Sequence, residues 1–71
     1  MDPLKEQQKN HLEYWNERYP IGTPVVALRT PGHKVMSYTS SAAQMEDGIA
    51  VIYLSGFSRP FPLERCKAIT D

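Results

Sequence analysis

Cysteine is almost absent from this sequence, which contains only Cys66. No disulfide can therefore form within one copy of the chain, and such low cysteine usage is typical of a reducing compartment. His11, His33 and Cys66 are the only soft metal ligands, and they are far apart in the sequence. Zinc sites usually show paired, closely spaced ligands. We therefore expect this chain to hold no metal and no cofactor.

Net charge and long apolar segments are also lacking. Eight basic and eight acidic residues cancel at pH 7, and no run of like charges occurs. This balance disfavours nucleic-acid binding, because such binding gains most of its affinity from neutralising phosphates. The longest apolar run, residues 49–54, is too short to cross a membrane, and the polar residues 1–6 do not resemble a signal peptide. These absences predict a cytoplasmic protein that does not bind membranes.

The chain is short, and its length limits its stability. Its 71 residues make a single domain, predicted over residues 1–71. A domain of this size buries only about 60% of its unfolded surface. Small domains usually need a disulfide, a metal or a partner subunit in addition. With the first two disfavoured, the sequence predicts a homo-oligomer.

An amphipathic helix is predicted over residues 3–18. Asp2 is a good N-cap, and Pro3 is favoured at the first helical position. Pro20 ends the helical pattern, and Gly22 permits a sharp change of direction. The apolar side chains fall on roughly one face. They are Leu4, Leu12, Trp15 and Tyr19, with Gln8 or His11 completing the stripe.

Strand patterns replace the helical period in the rest of the chain. We expect five strands, at residues 23–29, 33–39, 49–54, 57–61 and 67–69. A 3₁₀ turn is expected at residues 62–65. Residues 40–47 fit either a short helical turn or a strand that continues around a bend, and Asp47-Gly48 is a strong turn signal. Residues 49–54 are apolar on both faces, which predicts cover from the helix or from a second subunit. The predicted fold is mainly β, over residues 23–70.

Residues 15–25 and 61–69 carry a resemblance to a group of known proteins. The first stretch has a Trp followed by Tyr-Pro-x-Gly-Thr-Pro-Val, and the second has a tight turn that leads into a last strand. Both resemble small SH3-like barrel proteins of phages, plasmids and integron gene cassettes. The resemblance implies an SH3-like five-stranded barrel preceded by the amphipathic helix, in a bacterial protein of a mobile genetic element. It supplies no catalytic motif.

Residues 46–51 and 63–65 also resemble the type II plasmid dihydrofolate reductase, a small barrel that tetramerises around one pore. That family lines its pore with a Val-Gln-Ile-Tyr segment just before the final turn. Residues 59–62 are Arg-Pro-Phe-Pro here, so the Gln and Tyr that contact folate and cofactor are absent. Cys66 has basic neighbours that could lower its pKa, but a half-buried structural cysteine is the favoured interpretation. We therefore expect a protein that is not an enzyme.

Aromatic residues on the predicted strands and helix are the candidate binding residues. SH3-like barrels often bind extended peptides across aromatic grooves. The favoured interpretation, however, is that Trp15, Tyr53 and either Phe57 or Phe61 fill the core between the helix and the barrel. The predicted set is Trp15, Tyr38, Tyr53, Arg59 and Phe61.

The basic residues of the barrel region suggest an alternative. If they share a face with Tyr38 or Phe61, they would form a nucleic-acid surface by phosphate contact and base stacking. They are Arg29, Lys34, Arg59, Arg65 and Lys67, and they are opposed by Glu46, Asp47, Glu64 and Asp71. The sequence thus favours a non-enzymatic binding or assembly module that self-associates, with a protein or peptide partner. The alternative is a small nucleic-acid-binding barrel.

Overall fold

A computed structural model describes residues 3–69 of the chain. The predicted helix is confirmed as α1, which spans Pro3–Arg18. It ends before Pro20, which has no N–H with which to continue the helical ladder. The N-cap predicted for Asp2 and the last residue of the predicted barrel region, Thr70, lie outside the described residues.

Six short strands follow α1 and form two antiparallel sheets of three strands each. The strands are β1 (Pro24–Thr30), β2 (His33–Tyr38), β3 (Gln44–Glu46), β4 (Ile49–Ile52), β5 (Phe61–Pro62) and β6 (Cys66–Ala68). The first sheet has the order β2-β1-β6 and the second the order β3-β4-β5. A 3₁₀ turn at Leu63–Arg65 joins β5 to β6, as the sequence predicts. The prediction of a mainly β fold behind one N-terminal helix is confirmed.

The structure resolves the open prediction for one stretch of the chain and corrects the prediction for another. Residues 40–47, which fit a helical turn or a strand, contain β3. Asp47 and Gly48 join β3 to β4 with φ angles of 52° and 78°, the positive values that a tight hairpin turn requires at both central residues. The strand predicted at residues 57–61 is wrong except at Phe61, where β5 begins, because Pro60 has no N–H to donate to a ladder.

The two sheets meet at Thr39, whose backbone forms an isolated antiparallel bridge to Leu54. Thr39 is buried, and its hydroxyl accepts hydrogen bonds from the backbone N–H groups of Gly22 (3.0 Å) and Thr23 (3.2 Å). Buried hydroxyls are stable only when they are hydrogen-bonded. One buried threonine thus ties the connection after α1 to the junction of the two sheets.

α1 packs against the second sheet, mainly against β4. Trp15 is 4% exposed and forms the centre of this contact. Ala50, Val51 and Ile52 of β4 are all buried, which accords with the cover predicted for this doubly apolar strand. The remaining buried apolar residues come from both sheets and the loops between them: Val25, Ala27, Ala43, Leu54, Leu63 and Cys66.

Two amide side chains also fasten α1 to the strands and to the loop before β3. Gln8 accepts a hydrogen bond at Oε1 from the backbone N–H of Ala50 (2.9 Å). Asn16 accepts one at Oδ1 from the N–H of Ala43 (2.8 Å) and donates one from Nδ2 to the carbonyl of the same residue (2.9 Å). The sequence places Gln8 beside the apolar stripe but does not predict these bonds, since apolar periodicity carries no information on polar partners.

Candidate functional site

Trp15, the first of the predicted binding residues, lies in the core and offers no surface to a partner. Its ring centroid is 4.7 Å from that of Tyr19, with the two planes tilted by 54°. The indole fills the space between α1 and the second sheet because it is the largest apolar side chain on the inner face of the helix. For Trp15 the structure supports the interpretation in which aromatic residues fill the core.

Tyr53 follows β4 and is held in a small polar network. Its hydroxyl donates to Oε2 of Glu46 (3.1 Å), and Nε2 of Gln44 donates to the same oxygen (2.9 Å). The hydrogen bond to Glu46 raises the pKa of Tyr53, with smaller contributions from desolvation and from the negative charge of that carboxylate. This network ties the phenol to Glu46 of β3.

Tyr38 lies on the outward side of the first sheet. In β1, Val25 and Ala27 are fully buried, so the alternate residues of this strand point away from the core. The registers of β1 with β2 and with β6 place the outward residues of the three strands side by side. We call this surface the outer face, and its members are Pro24, Val26, Leu28, Lys34, Met36, Tyr38 and Lys67.

The outer face is apolar at its centre and exposed. Met36 is 75% exposed, Tyr38 60% and Leu28 38%. Ile69 extends the apolar area, because its N–H bonds to the carbonyl of Pro24 (2.9 Å) and its side chain is 38% exposed. The sequence singles out only Tyr38 here. The other apolar residues of the outer face could have been found from residues 24–28, which are apolar at successive positions, as residues 49–54 are. A strand that is apolar at successive positions has an apolar side chain on both of its faces.

Arg59 and Phe61, the last two predicted residues, come together in an open groove beside the 3₁₀ turn. The groove encloses about 450 Å³ and is lined by one arginine from β1, one from the loop before β5 and one from the turn. Phe57 and Phe61 form an edge-to-face pair in its wall, with ring centroids 5.2 Å apart. We call this site the arginine groove, and its side chains used below are Arg29, Arg59, Arg65, Phe57 and Phe61.

A second groove adjoins the first, because Leu28 and Arg65 line both. It encloses about 460 Å³ and includes the two lysines of the outer face, so we call it the lysine groove. Every lysine and arginine that follows α1 in the sequence lines one groove or the other: Arg29, Lys34, Arg59, Arg65 and Lys67. Glu64 is the one carboxylate among the lining residues. The balanced total charge of the chain therefore conceals a local concentration of basic residues at the two grooves.

Cys66 lies at the back of the lysine groove and is buried. Its thiol is 3.6 Å from the carbonyl of Pro62, and burial raises the pKa of the thiol to about 11. The neighbouring basic residues do not lower it. A thiol that stays protonated at neutral pH is a weak nucleophile and a weak metal ligand, so the favoured interpretation of a structural cysteine stands.

Residues 3–69 contain no cluster of three His, Cys, Asp or Glu side chains that could hold a metal ion. Within the same residues, no helix is both long and apolar enough to cross a membrane. Comparisons of the chain with protein-family models, with curated proteins and with solved structures find no match.

Proposed function

We propose that this chain is a non-enzymatic binding and assembly module that self-associates through its outer face. The observation that carries the proposal is the apolar part of that face, where the exposed Met36 lies opposite Val26 and between the rows that hold Tyr38 and Leu28. Clustered exposed apolar residues with a polar rim are typical of protein–protein contacts. Lys34 and Lys67 supply such a rim.

A second copy of the chain is the occupant that this surface fits best. Two copies related by a two-fold axis would bury the same apolar patch twice, and such self-complementary contacts are the commonest in homo-oligomers. The added burial would also compensate for the small core of a 71-residue domain. The first sheet would then be covered on both faces, as the second sheet already is where α1 packs on β4.

Sedimentation velocity at micromolar concentration tests this proposal. We expect the wild-type chain to sediment as an oligomer and the Met36→Glu variant as a monomer, because a carboxylate at the centre of the patch would be buried without a partner. Ile49→Glu is the control, since Ile49 is also an exposed apolar strand residue and lies on β4, outside the outer face. A wild-type chain that is monomeric, or a Met36→Glu variant that still associates, would contradict the proposal.

We further propose that the two sheets are the halves of an SH3-like five-stranded barrel. In this arrangement β2 and β3 form a single strand that bends at residues 39–43, which reduces the six strands to five. The bridge between Thr39 and Leu54 supports it, as does the hydrogen bond from the N–H of Ser40 to the carbonyl of Tyr53 (2.9 Å). Both join the two sheets along the bend, in the order that the resemblance to phage, plasmid and integron barrel proteins implies.

A second candidate function is nucleic-acid binding, which the gathering of five basic residues in two adjoining grooves favours. Such a surface concentrates positive potential even in a chain without net charge. We expect short oligonucleotides to bind at low salt and to dissociate as salt is raised, because released counterions drive the association. Native gel shifts with short DNA and RNA measure this. The absence of any shift at low salt would remove the candidate.

A further inference from the structure

We propose that the arginine groove is a binding site for single-stranded nucleic acid, in which Arg29, Arg59 and Arg65 hold the phosphates and one base lies against the Phe57–Phe61 pair. This inference rests on the second candidate function and names its site and its ligand. The groove encloses about 450 Å³, within the range of pockets that hold small ligands. That volume suits a nucleotide unit of a longer strand.

The three arginines that line the groove come from separate parts of the chain. Arg29 lies in β1, Arg59 in the loop before β5, and Arg65 in the 3₁₀ turn. Arginine presents its N–H donors in a planar fork that matches the oxygens of a phosphate. Three such forks around one groove form a phosphate-binding surface that no single segment could provide.

These cations lack internal counter-ions in the part of the chain that the structure describes. Among residues 3–69, no ion pair joins Arg29, Arg59 or Arg65 to a carboxylate. All three residues are exposed, and Glu64, the one acidic lining residue nearby, belongs to the lysine groove. Like charges brought together without an anion repel one another, so a polyanion is the ligand that the groove lacks.

The aromatic wall decides between two kinds of polyanion. Phe57 and Phe61 are only half-buried, and Pro60 lies beside them with a backbone fixed by its ring. Aromatic side chains bind exposed bases by stacking, and every base has a face for this contact. An acidic peptide offers carboxylates to the arginines but no ring system of this kind to the phenylalanine pair, so the site favours a nucleic acid.

The shape of the site favours a single strand over a duplex. Bases in a duplex are stacked on one another and show only their edges in the grooves, where a protein needs a protruding helix or ribbon to reach them. The arginine groove is concave, and its phenylalanine pair lies in the wall. A single strand can turn one base into this groove.

Fluorescence anisotropy with labelled dT10 and with a duplex of equal length tests the proposal over a series of salt concentrations. We expect dT10 to bind more tightly than the duplex. We expect Arg59→Gln and Arg29→Gln each to weaken the binding of dT10 and to lower its slope of log affinity against log salt by about 0.7, the value of one phosphate contact on a single strand. Phe57→Leu should weaken dT10 binding without changing the slope. Lys9→Gln, on the exposed side of α1, is the charge-matched control and should change neither.

Each contrary outcome has a distinct meaning. Oligonucleotide binding that the Arg59→Gln and Arg29→Gln variants leave unchanged would overturn the arginine groove and leave the nucleic-acid function standing elsewhere on the surface. Preference for the duplex would overturn the single-stranded ligand. Tighter binding of a labelled poly-glutamate peptide than of dT10 would assign the groove to acidic proteins instead. No binding of either oligonucleotide at low salt would overturn both the inference and the function it rests on. Thermal unfolding of each variant verifies that the fold persists.

Discussion

At the scale of single residues, Asn16 is the polar side chain on which the docking of α1 most depends. It satisfies both the N–H and the carbonyl of Ala43, a residue that is 5% exposed. Asn16→Ala leaves both backbone groups without their partner, which typically costs about 1–3 kcal/mol. We expect urea unfolding to show a loss of this size. Asn10→Ala, at an exposed position of the same helix, is the control and should leave the midpoint nearly unchanged.

Cys66 makes the stability of the fold sensitive to alkaline pH. Burial raises the pKa of this thiol from 9.0 to about 11, so the folded chain keeps a proton that the unfolded chain loses. Between those values the unfolded state binds fewer protons, and the free energy of unfolding falls as pH rises. The contribution is complete below the unfolded pKa and is lost as pH rises through about 11.

The comparison of wild type with Cys66→Ala isolates this contribution from the other groups that titrate in alkali. We expect the free energy of unfolding of the wild type, relative to that of the variant, to fall between neutral pH and about pH 11. Denaturant unfolding at a series of pH values measures it. Parallel pH profiles for the two chains would show that the thiol ionises as easily in the folded state as in the unfolded state.

At the scale of elements, α1 is held by one aromatic side chain more than by any other. Trp15→Ala removes a ring that is only 4% exposed. Truncating a buried aromatic side chain lowers the free energy of unfolding by about 3–5 kcal/mol. This is a large part of the total stability expected for a small domain, about 5–15 kcal/mol. We expect a strongly lowered thermal midpoint. An unchanged midpoint would mean that α1 does not dock.

Tyr14→Ala is the matched control for the helix, because Tyr14 is 53% exposed. Its ring carries the guanidinium of Arg18 at 4.6 Å, a cation–π contact worth about 0.5–1 kcal/mol at an exposed site. Tyr14→Ala should therefore lower the free energy of unfolding by no more than about this amount. A cost equal to that of Trp15→Ala would contradict the exposed position of Tyr14.

The elements that the sequence predicts are those whose pattern is local. The helical period with Pro3 and Pro20 at its ends defines α1, and the pair Asp47-Gly48 defines the hairpin turn. The split between β2 and β3 was open because residues 40–43 have no periodicity. β5 is shorter than predicted because aromatic content suggests a strand, whereas pairing depends on backbone donors that Pro60 lacks.

The sequence predicts some residues of the candidate site, but it does not predict which of them lie together in the fold. Arg59 and Phe61 could be named from residue type, but their meeting with Arg29 depends on how the first sheet is placed beside the 3₁₀ turn. Trp15 and Tyr53 have the same chemical character as Tyr38, yet their surroundings differ. Trp15 is in the core, Tyr53 is hydrogen-bonded to Glu46, and Tyr38 is exposed to solvent. Only the tertiary arrangement separates these three aromatic residues.

At the scale of the whole molecule, the proposed self-association links stability to concentration. Binding between folded copies favours the folded state by mass action, so the melting temperature should rise as the protein is concentrated. Differential scanning calorimetry over a wide range of concentrations measures this. The Met36→Glu variant should melt at a temperature independent of concentration, and a wild type that behaves in the same way would argue against association.

The basic side chains give the molecule an uneven distribution of charge. Five of the eight basic residues line the two grooves, while Glu46 and Asp47 lie at the β3–β4 hairpin. A chain with a pI of about 6.7 carries almost no net charge near neutral pH. It will nevertheless turn in the field of an anionic surface and adhere to a cation exchanger by its grooves. The protein will be retained on the exchanger only when its grooves face the resin, because its total charge provides no attraction.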